Sequence, residues 1–293
     1  MVATAGTAIV AALRDDVDRL LAAEPEVRCD AADSVHQMRV ATRRLRSVLR
    51  SYRRLFQTDP VTAMGAELKW LAALLGVARD AEVRADRFDI LLAKHAVQAE
   101  ALGADLDTVT ARLVTAELAR YRGAHAQVLI ALDSDRYAAL RAELIRWRTE
   151  PPLREQRADH PADEHFAVVL HRDRHRVERL VHAEPSVSRA ERVELLHDIR
   201  KSAKRLRYSC DAAEPVLGAA ASELGGRAKR LQTVLGDHRD AIESQHALFA
   251  IAADAAAAGE DPATYRLLAG AEEAAARAAL ERYPAAAESL SAD

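Results

Sequence analysis

The sequence predicts an all-α protein that is built from two similar halves. Of its 293 residues, 49% are hydrophobic but only 4% are aromatic, and alanine and leucine supply most of the apolar side chains. These residues favour helices, whereas the β-branched runs that favour strands are few. The chain is long enough to bury a core, and its charged fraction of 30% is ordinary for a soluble domain.

A pair of basic segments indicates that the chain repeats itself. SVHQMRVATRRLRS begins at Ser34, and its counterpart LHDIRKSAKRLRYS begins at Leu196. Aligning them matches His36 with His197, Arg39 with Arg200, Arg43 with Lys204, and Arg46 with Arg207. Two further pairs of similar segments recur in the same order and at nearly the same spacing. One pair is LAALLGVARDA and LQTVLGDHRDA, and the other, farther upstream, is RLLAAEPEV and RLVHAEPSV. We therefore predict a duplicated unit.

The proline-rich segment TEPPLREQRADHPADEH marks the boundary between the halves. We predict a first helical bundle over residues 1–150, a linker over 151–165 and a second bundle over 166–293, which together form one domain. Each half has the pattern of four or more helices, so two packed bundles are expected.

Local signals predict the helix ends in each half. The first helices, Ala8 to Ala23 and Phe166 to Ala183, are expected to close at a Glu-Pro pair, because proline disfavours helix at the preceding residue. Long basic helices follow, from Asp33 to Phe56 and from Arg189 to Ala213. The third helices are expected to end at Gly76 and Gly236, and Asp80 and Asp240 to cap the next ones. A long amphipathic helix is predicted from Asp105 to Ala131.

A row of cations occupies one face of the first basic helix. An α-helix turns by about 100° per residue. Counted from His36 on a helical wheel, five arginines fall within an arc of about 80°: Arg39, Arg43, Arg46, Arg50 and Arg54. The opposite side is apolar and predicted to be core: Met38, Ala41, Leu45, Val48, Leu49, Tyr52, Leu55 and Phe56. A solvated surface helix usually alternates in sign, yet no acidic residue occurs between Gln37 and Gln57. We therefore interpret the row as a binding surface, with an ordinary solvated face as the alternative.

The second basic helix repeats this row in a shorter form. Its basic face holds His197, Arg200, Lys201, Lys204, Arg207 and Tyr208, with Arg205 at the edge. Asp211 stands where the repeat would place a counterpart of Arg50, so the two halves are expected to bind unequally. A periodic polyanion fits such rows better than a compact ligand does, because successive contacts add up and release counterions.

The paired basic segments, together with LGVARD and LGDHRD, resemble both halves of the CHAD domain (conserved histidine α-helical domain) over nearly the whole chain. The resemblance implies two antiparallel four-helix bundles about a pseudo-two-fold axis, with basic faces lining a central channel. It also implies binding of inorganic polyphosphate and association with polyphosphate granules. The CYTH triphosphatase signature ExExK, which accompanies many members, does not occur, so a stand-alone member is expected.

Carried over residue by residue, the resemblance implies phosphate contacts by His36, Arg39, Arg43 and Arg46, and by His197, Arg200, Lys204 and Arg207. Arg50 and Lys201 extend the rows. Lys69 and Lys229 occupy equivalent places on the third helices, where each is either a phosphate contact or an ordinary surface lysine.

Enzyme chemistry is not expected. The pair His197-Asp198 is reminiscent of phosphohydrolase metal sites, but its partner in the first half is His36-Gln37. His171 and His175 have a metal-capable spacing, yet arginines surround them and no third ligand is evident. No nucleotide-binding glycine loop occurs. We therefore predict no catalytic residues, no metal and no cofactor.

Two other kinds of partner remain open. Nucleic acid is the main alternative, although Tyr208 is the only aromatic residue on the basic faces for base stacking. An acidic segment of a protein partner is the other. Cys29 and Cys210 have no redox or metal spacing, and neither a signal peptide nor an apolar run long enough to span a membrane is evident. A cytoplasmic location is therefore expected, and the resemblance to the CHAD domain implies that it is at polyphosphate granules.

Overall fold

Helices make up nearly all of the computed structural model, which describes residues 3–291, and this part contains no β-strand. The prediction of an all-α protein is confirmed. The α-helices are α1 (Ala5–Arg28), α2 (Ser34–Ser51), α3 (Thr58–Ala101), α4 (Leu106–Thr110), α5 (Ala116–Leu132), α6 (Asp135–Trp147), α7 (Glu155–Ala158), α8 (Ala162–Ala183), α9 (Arg189–Leu217), α10 (Ala219–Ala257), α11 (Ala263–Glu281) and α12 (Tyr283–Ser291). Short 3₁₀ turns at Arg53–Leu55 and Glu184–Ser186 and a π-helical turn at Ala111–Thr115 complete them.

Helix α1 does not stop at its Glu-Pro pair, contrary to the prediction. It begins after Thr4, whose hydroxyl accepts a hydrogen bond from the Thr7 amide, and continues through Pro25 to Arg28. Pro25 lies in the last turn, and its own carbonyl accepts from the Cys29 amide, so the proline costs the helix only one backbone hydrogen bond. In the second half α8 does end at Ala183, where a 3₁₀ turn takes over.

The third helices also run on past their glycines. Helix α3 continues through Gly76, and α10 through Gly236, so Asp80 and Asp240 lie inside helices rather than at caps. Neither glycine has the positive φ of a helix-ending residue. A glycine costs a helix only about 0.5–1 kcal/mol, and the leucines and alanines around these two outweigh that cost.

The predicted linker is partly helical and is attached to its surroundings. It contains α7, and two isolated β-bridges join Leu153 to Phe56 and Pro161 to Thr4. The Arg154 amide also donates to the Leu55 carbonyl. These bonds satisfy backbone groups that a free linker would leave to water.

Residues 3–291 divide into two compact units that do not follow the two sequence halves. The first comprises residues 3–77 and 124–229, and the second comprises 78–123 and 230–291. Each unit combines segments from both halves of the repeat. The pseudo-symmetric pair of four-helix bundles and the central channel stay predictions.

The core of the first unit lies where α1 packs on α2, α8 on α9, and α2 on α9. All eight residues that the helical wheel assigned to the core of the first basic helix are buried, as predicted. Tyr52 contacts the ring of Phe166 at a centroid distance of 4.6 Å, and its hydroxyl donates to the Ser209 carbonyl. Phe56 stacks on Trp147. These contacts fix the apolar side of α2, and therefore the direction in which its cations point.

The second unit has its own core, formed by Phe88, Leu92, Leu113, Leu248, Tyr265 and Leu268 among others. Arg87 donates two hydrogen bonds, of 2.6 and 2.5 Å, to the buried carboxylate of Glu272. The predicted helix from Asp105 to Ala131 is confirmed as α4 and α5, which the π-helical turn at Ala111–Thr115 joins.

By length and composition alone, α3 could cross a membrane, since an 18-residue window in it has a mean hydropathy of 1.4. The sequence did not predict such a helix, because charged residues such as Lys69 and Arg79 interrupt its apolar runs. A single helix of this kind is weak evidence, because core helices of soluble proteins have the same length and hydropathy.

Candidate cation-lined binding site

Helices α2 and α9 bring the two predicted cation rows together. The ammonium group of Lys204 on α9 is largely buried, and four arginines act on it electrostatically: Arg43, Arg200, Arg39 and Arg207. Burial first, and then these like charges, lower the pKa of Lys204 to about 6. The ring of Tyr208 lies 5.7 Å from the Lys204 Nζ, at the distance of a cation–π contact when the amine is charged.

The neighbouring arginines are affected in the same way. Burial and the charges of Arg39 and Arg200 lower the pKa of Arg43, and burial with Arg50 lowers the pKa of Arg46. Within residues 3–291, no acidic side chain lies within ion-pair distance of Arg43, Arg46, Arg50 or Lys204. Cations at this density without a counter-charge favour the approach of an anion.

A first cleft of about 430 Å³ opens beside this group. The charged side chains that line this first cleft are Arg43, Arg46, Arg50, Arg53, Lys201, Lys204 and Arg205. Val61, Thr62 and Gly65 of α3 form part of its wall. No atom stands within 4 Å of the place where Gly65 would carry a Cβ, so the wall leaves open space there.

A second cleft of about 570 Å³ adjoins the first, since Arg50, Arg53 and Arg205 line both. The rest of its lining comes from the 3₁₀ turn after α2 and from α8: Arg54, Arg172, Asp173, His175, Arg176 and Arg179. The two clefts lie within the first compact unit.

Asp173 forms the floor of the second cleft. Its buried Oδ2 accepts hydrogen bonds from the hydroxyls of Ser51 at 2.7 Å and Ser209 at 2.8 Å. Its Oδ1 lies 3.0 Å from both Arg172 Nη2 and Arg205 Nη2. Burial lowers the pKa of Arg205, and Asp173 opposes that shift. This one carboxylate thus holds two arginines and two hydroxyls in place.

The structure brings most of the predicted site residues together, but not all of them. Seven belong to the first cleft or to the group around Lys204: Arg39, Arg43, Arg46, Arg50, Arg200, Lys204 and Arg207. Lys201 also lines the first cleft, where it pairs with Asp198 at 2.6 Å. His36 and His197 are half-buried on the same two helices and line neither cleft, and Lys69 and Lys229 are exposed and line neither.

Sequence reasoning missed the arginines of the second cleft. Arg53, Arg172, Arg176 and Arg179 line this cleft but are not among the residues that the sequence predicts to contact phosphate. The available signal was the run RDRHRVER in α8, which has the same excess of arginine as the first basic helix. The prediction that Tyr208 offers an aromatic face on the basic surface is wrong, because Tyr208 is only 2% exposed.

The mismatch at Asp211 has a structural explanation. Asp211 accepts a hydrogen bond of 2.9 Å from Arg44 Nη1, and Arg44 also pairs with the buried Asp16. Asp211 therefore holds α1, α2 and α9 together at the position where the first row has Arg50.

No group of three or more metal-ligating side chains occurs in the part of the chain described.

The fold and the site define an all-α protein in which paired helices line adjoining clefts with arginine and lysine. The sequence profile of the CHAD domain matches residues 11–249, and the chain belongs to the CHAD domain family. The resemblance drawn from the repeated basic segments is thereby confirmed.

Relatives and solved structures agree with this assignment. Two uncharacterized proteins of Mycobacterium tuberculosis, MT2285 from strain CDC 1551 and Rv2226 from strain H37Rv, are each 38% identical over 264 residues. The match covers 88% of this chain, which spans about half the length (48%) of these curated relatives. The crystal structure of the CHAD domain from the plant Ricinus communis has a TM-score of 0.71 and 25% identity, covering 98% of this chain and 92% of that one.

The structure of PptA from Streptomyces chartreusis superposes with a TM-score of 0.79 over 97% of this chain and 99% of that one, at 21% identity. At this identity the likeness concerns the fold. The arginines and lysines of the clefts must therefore be judged on their own geometry.

Proposed function

We propose that this protein binds inorganic polyphosphate along the first cleft and does so without catalysing a reaction. The observation that carries the proposal is the group around Lys204, where four arginines from α2 and α9 crowd a largely buried amine. Membership of the CHAD family supports a polyphosphate-related role. Binding would take place in the cytoplasm, at polyphosphate granules where these are present.

The proposal follows from the electrostatics of the cleft. Burying cations beside one another is unfavourable, and the described chain provides no carboxylate beside Arg43, Arg46 or Lys204 to offset it. A phosphate chain provides the missing negative charge at regular intervals. Guanidinium groups bind its oxygens in pairs, with hydrogen bonds stronger than those between neutral groups.

Polyphosphate fits the lining better than nucleic acid does. The side chains of the two clefts include no Phe, Tyr or Trp on which a base could stack, and Tyr208 lies buried beneath Lys204 and Arg207. A ligand that is phosphate throughout makes use of every cation in the row, whereas a nucleotide would place sugars and bases against them.

The proposal is tested by calorimetric titration with long-chain polyphosphate at two salt concentrations. Orthophosphate, single- and double-stranded DNA and an acidic peptide are titrated in parallel. We expect salt-sensitive binding of polyphosphate and much weaker binding of the others. An equal affinity for DNA would make the clefts general phosphate sites, and binding of the acidic peptide alone would replace the proposal with a protein partner. The absence of released orthophosphate after long incubation checks that no hydrolysis occurs.

The site itself is tested by Arg43→Ala combined with Lys204→Met. Each lost charge-assisted contact should lower the affinity about tenfold or more, and the slope of log K against log salt concentration should fall by roughly 0.7–1 per contact. The variant should fold normally, since removing crowded cations relieves repulsion. Arg122→Ala with Arg230→Ala is the matched control, because both arginines are exposed and line neither cleft. Unchanged affinity in the folded Arg43 and Lys204 variant would contradict the assigned site.

A further inference from the structure

We propose that the second cleft binds a continuation of the same phosphate chain, so that the protein selects polyphosphate by its length. This inference rests on the proposed function and assigns a role to arginines of α8 that the repeat does not identify. Three features of the second cleft support it: its unneutralised charge, its continuity with the first cleft, and its composition.

The second cleft holds far more positive charge than its one carboxylate can neutralise. Asp173 is engaged by Arg172 and Arg205 and by two serine hydroxyls. In the described part of the chain, no acidic side chain lies within ion-pair distance of the remaining arginines, which are Arg50, Arg53, Arg54, Arg176 and Arg179. These five guanidinium groups are exposed to solvent, and their combined charge attracts an anion that carries several charges.

The two clefts are continuous, because the side chains of Arg50, Arg53 and Arg205 line both. A chain that leaves the first cleft past Lys204 therefore meets these arginines before it reaches α8. The basic row from Arg43 to Arg50 on α2 and the row from Arg172 to Arg179 on α8 each extend roughly 10 Å at 1.5 Å per residue. An oligophosphate that spans only one row leaves the other unoccupied, so a longer chain gains contacts that a short one lacks.

The composition of the second cleft suits the paired oxygens of a phosphate chain. Its cations are arginines apart from His175, and no lysine lines it. Some of these arginines are already positioned: Arg172 donates to the Ser51 carbonyl at 2.7 Å, and Arg176 donates to the Ser202 hydroxyl at 3.3 Å. Preorganised donors lose little conformational entropy on binding, which raises the affinity of a chain already held in the first cleft.

The experiment compares tripolyphosphate, a medium-length polyphosphate and a long-chain polyphosphate on wild-type protein and two variants. Arg176→Ala with Arg179→Ala removes two cations of the second cleft, and Arg43→Ala with Lys204→Met removes two of the first. Arg122→Ala with Arg230→Ala again controls for the change in net charge. Circular dichroism and thermal unfolding confirm that each variant is folded.

In the wild type the affinity should rise with chain length. The second-cleft variant should lose about tenfold or more in affinity for long chains, and its affinities for long and medium chains should converge, because the added contacts are gone. Its affinity for tripolyphosphate should stay within about twofold of wild type, because the first cleft keeps all of its cations. The first-cleft variant should lose affinity for all three ligands.

Two results would overturn the inference, and they differ from a failure of the proposed function. If the variant lacking Arg176 and Arg179 keeps the wild-type dependence on chain length, the second cleft is not part of the site. The second result concerns the same variant. If it loses affinity for tripolyphosphate as strongly as for long chains, while the first-cleft variant keeps its affinity for both ligands, the second cleft is the whole site and no continuous path exists. If wild-type protein binds no polyphosphate of any length, the proposed function fails as well.

Discussion

The guanidinium group of Arg205 lies 3.0 Å from the carboxylate of Asp173, and this pair anchors the floor of the second cleft. Asp173 is 2% exposed and lies on α8, whereas Arg205 lies on α9 at the position that the repeat matches with Arg44 of α2. Arg44 likewise pairs with a buried acid, Asp16, on the preceding helix α1. The matched arginines thus fasten each basic helix to the helix before it, while their neighbours point into the clefts.

Removing the charge of Asp173 should destabilise the protein strongly. In Asp173→Asn, Arg172 and Arg205 lose their carboxylate partner while they remain partly buried, and breaking such a pair costs about 3–5 kcal/mol. Urea unfolding measures the difference. Glu273→Gln is the matched control, because its pair with Arg277 is exposed and should contribute less than about 1 kcal/mol. Equal losses of unfolding free energy in the two variants would show that the buried pair stabilises the protein no more than the exposed pair does.

Polyphosphate binding should take up protons at alkaline pH. The pKa of Lys204 is about 6 in the free protein against an ordinary value of 10.5, so at pH 8 the amine is mostly neutral. A bound phosphate chain favours the charged form and raises this pKa again. At pH 8 we therefore expect an uptake of up to about one proton per bound cleft. Calorimetry in buffers with different ionisation enthalpies measures it, and Lys204→Met should abolish the difference between buffers.

The same amine should make stability depend on pH. Between about pH 6 and pH 10.5 the unfolded chain holds a proton on Lys204 that the folded protein has released, so folding stability rises with pH across this window. The unfolding free energy of Lys204→Met should depend less on pH than that of the wild type, and it should be larger than that of the wild type at pH 6. A profile parallel to that of the wild type would show that Lys204 is not desolvated in the folded protein.

Helical periodicity was sufficient to predict the two faces of α2. Met38, Leu45 and Tyr52 lie in the core and Arg43, Arg46 and Arg50 lie at the clefts because a period of 3.6 residues separates the two sets. The second cleft could not be predicted in this way. Its arginines come from α2, the following turn, α8 and α9, and only tertiary packing places Arg176 and Arg179 beside Arg50. Periodicity within one helix contains no information about which other helix it faces.

The errors at the helix ends have a common physical cause. Pro25 and Gly76 are local signals against helix, and in each case the surrounding sequence and tertiary packing outweigh a cost confined to one residue. The linker prediction missed α7 for a related reason, because the segment gains backbone hydrogen bonds to Leu55 and to Ala3 that only the folded chain provides.

Loss of Arg44 should make stability strongly dependent on pH. Burial raises the pKa of Asp16 from 3.8 to about 6, although Arg44 Nε lies only 2.5 Å from its Oδ1. In wild type the folded protein binds the extra proton between these two values, so stability falls as the pH rises from about 4 to 6. Arg44→Met removes the main cation, which raises the pKa of Asp16 further and extends this fall towards neutral pH.

We expect Arg44→Met to lose about 3–5 kcal/mol at pH 7.5 and distinctly less at pH 5, where Asp16 is protonated. Urea unfolding at the two pH values measures the losses. Arg277→Met, which breaks only an exposed pair with Glu273, should cost little at either pH. An equal loss at both pH values for Arg44→Met would mean that packing of its side chain, rather than the charge of Asp16, determines the effect.

Two glycine substitutions test the corrected course of the helices. A methyl group at Gly76 would lie 3.6 Å from Arg39 Nη2, an ordinary contact, and the residue lies inside α3 without a positive φ. Gly76→Ala should therefore stabilise the protein by about 0.5–1 kcal/mol, through the lower entropy of its unfolded chain, and leave polyphosphate affinity unchanged. If Gly76 instead ended a helix in a left-handed conformation, alanine would destabilise the protein.

Gly6→Ala provides the contrasting case in the same first unit. A methyl group there would lie 2.8 Å from the Ala158 Cβ and 3.3 Å from the Ala158 carbonyl oxygen. Helices α1 and α7 would have to move apart, and overpacking of this kind costs about 1–3 kcal/mol. Thermal unfolding of the two variants should therefore shift in opposite directions. A lowered melting temperature for both would indicate that α3 is interrupted at Gly76 after all, whereas a raised one for both would show that α7 does not press on α1.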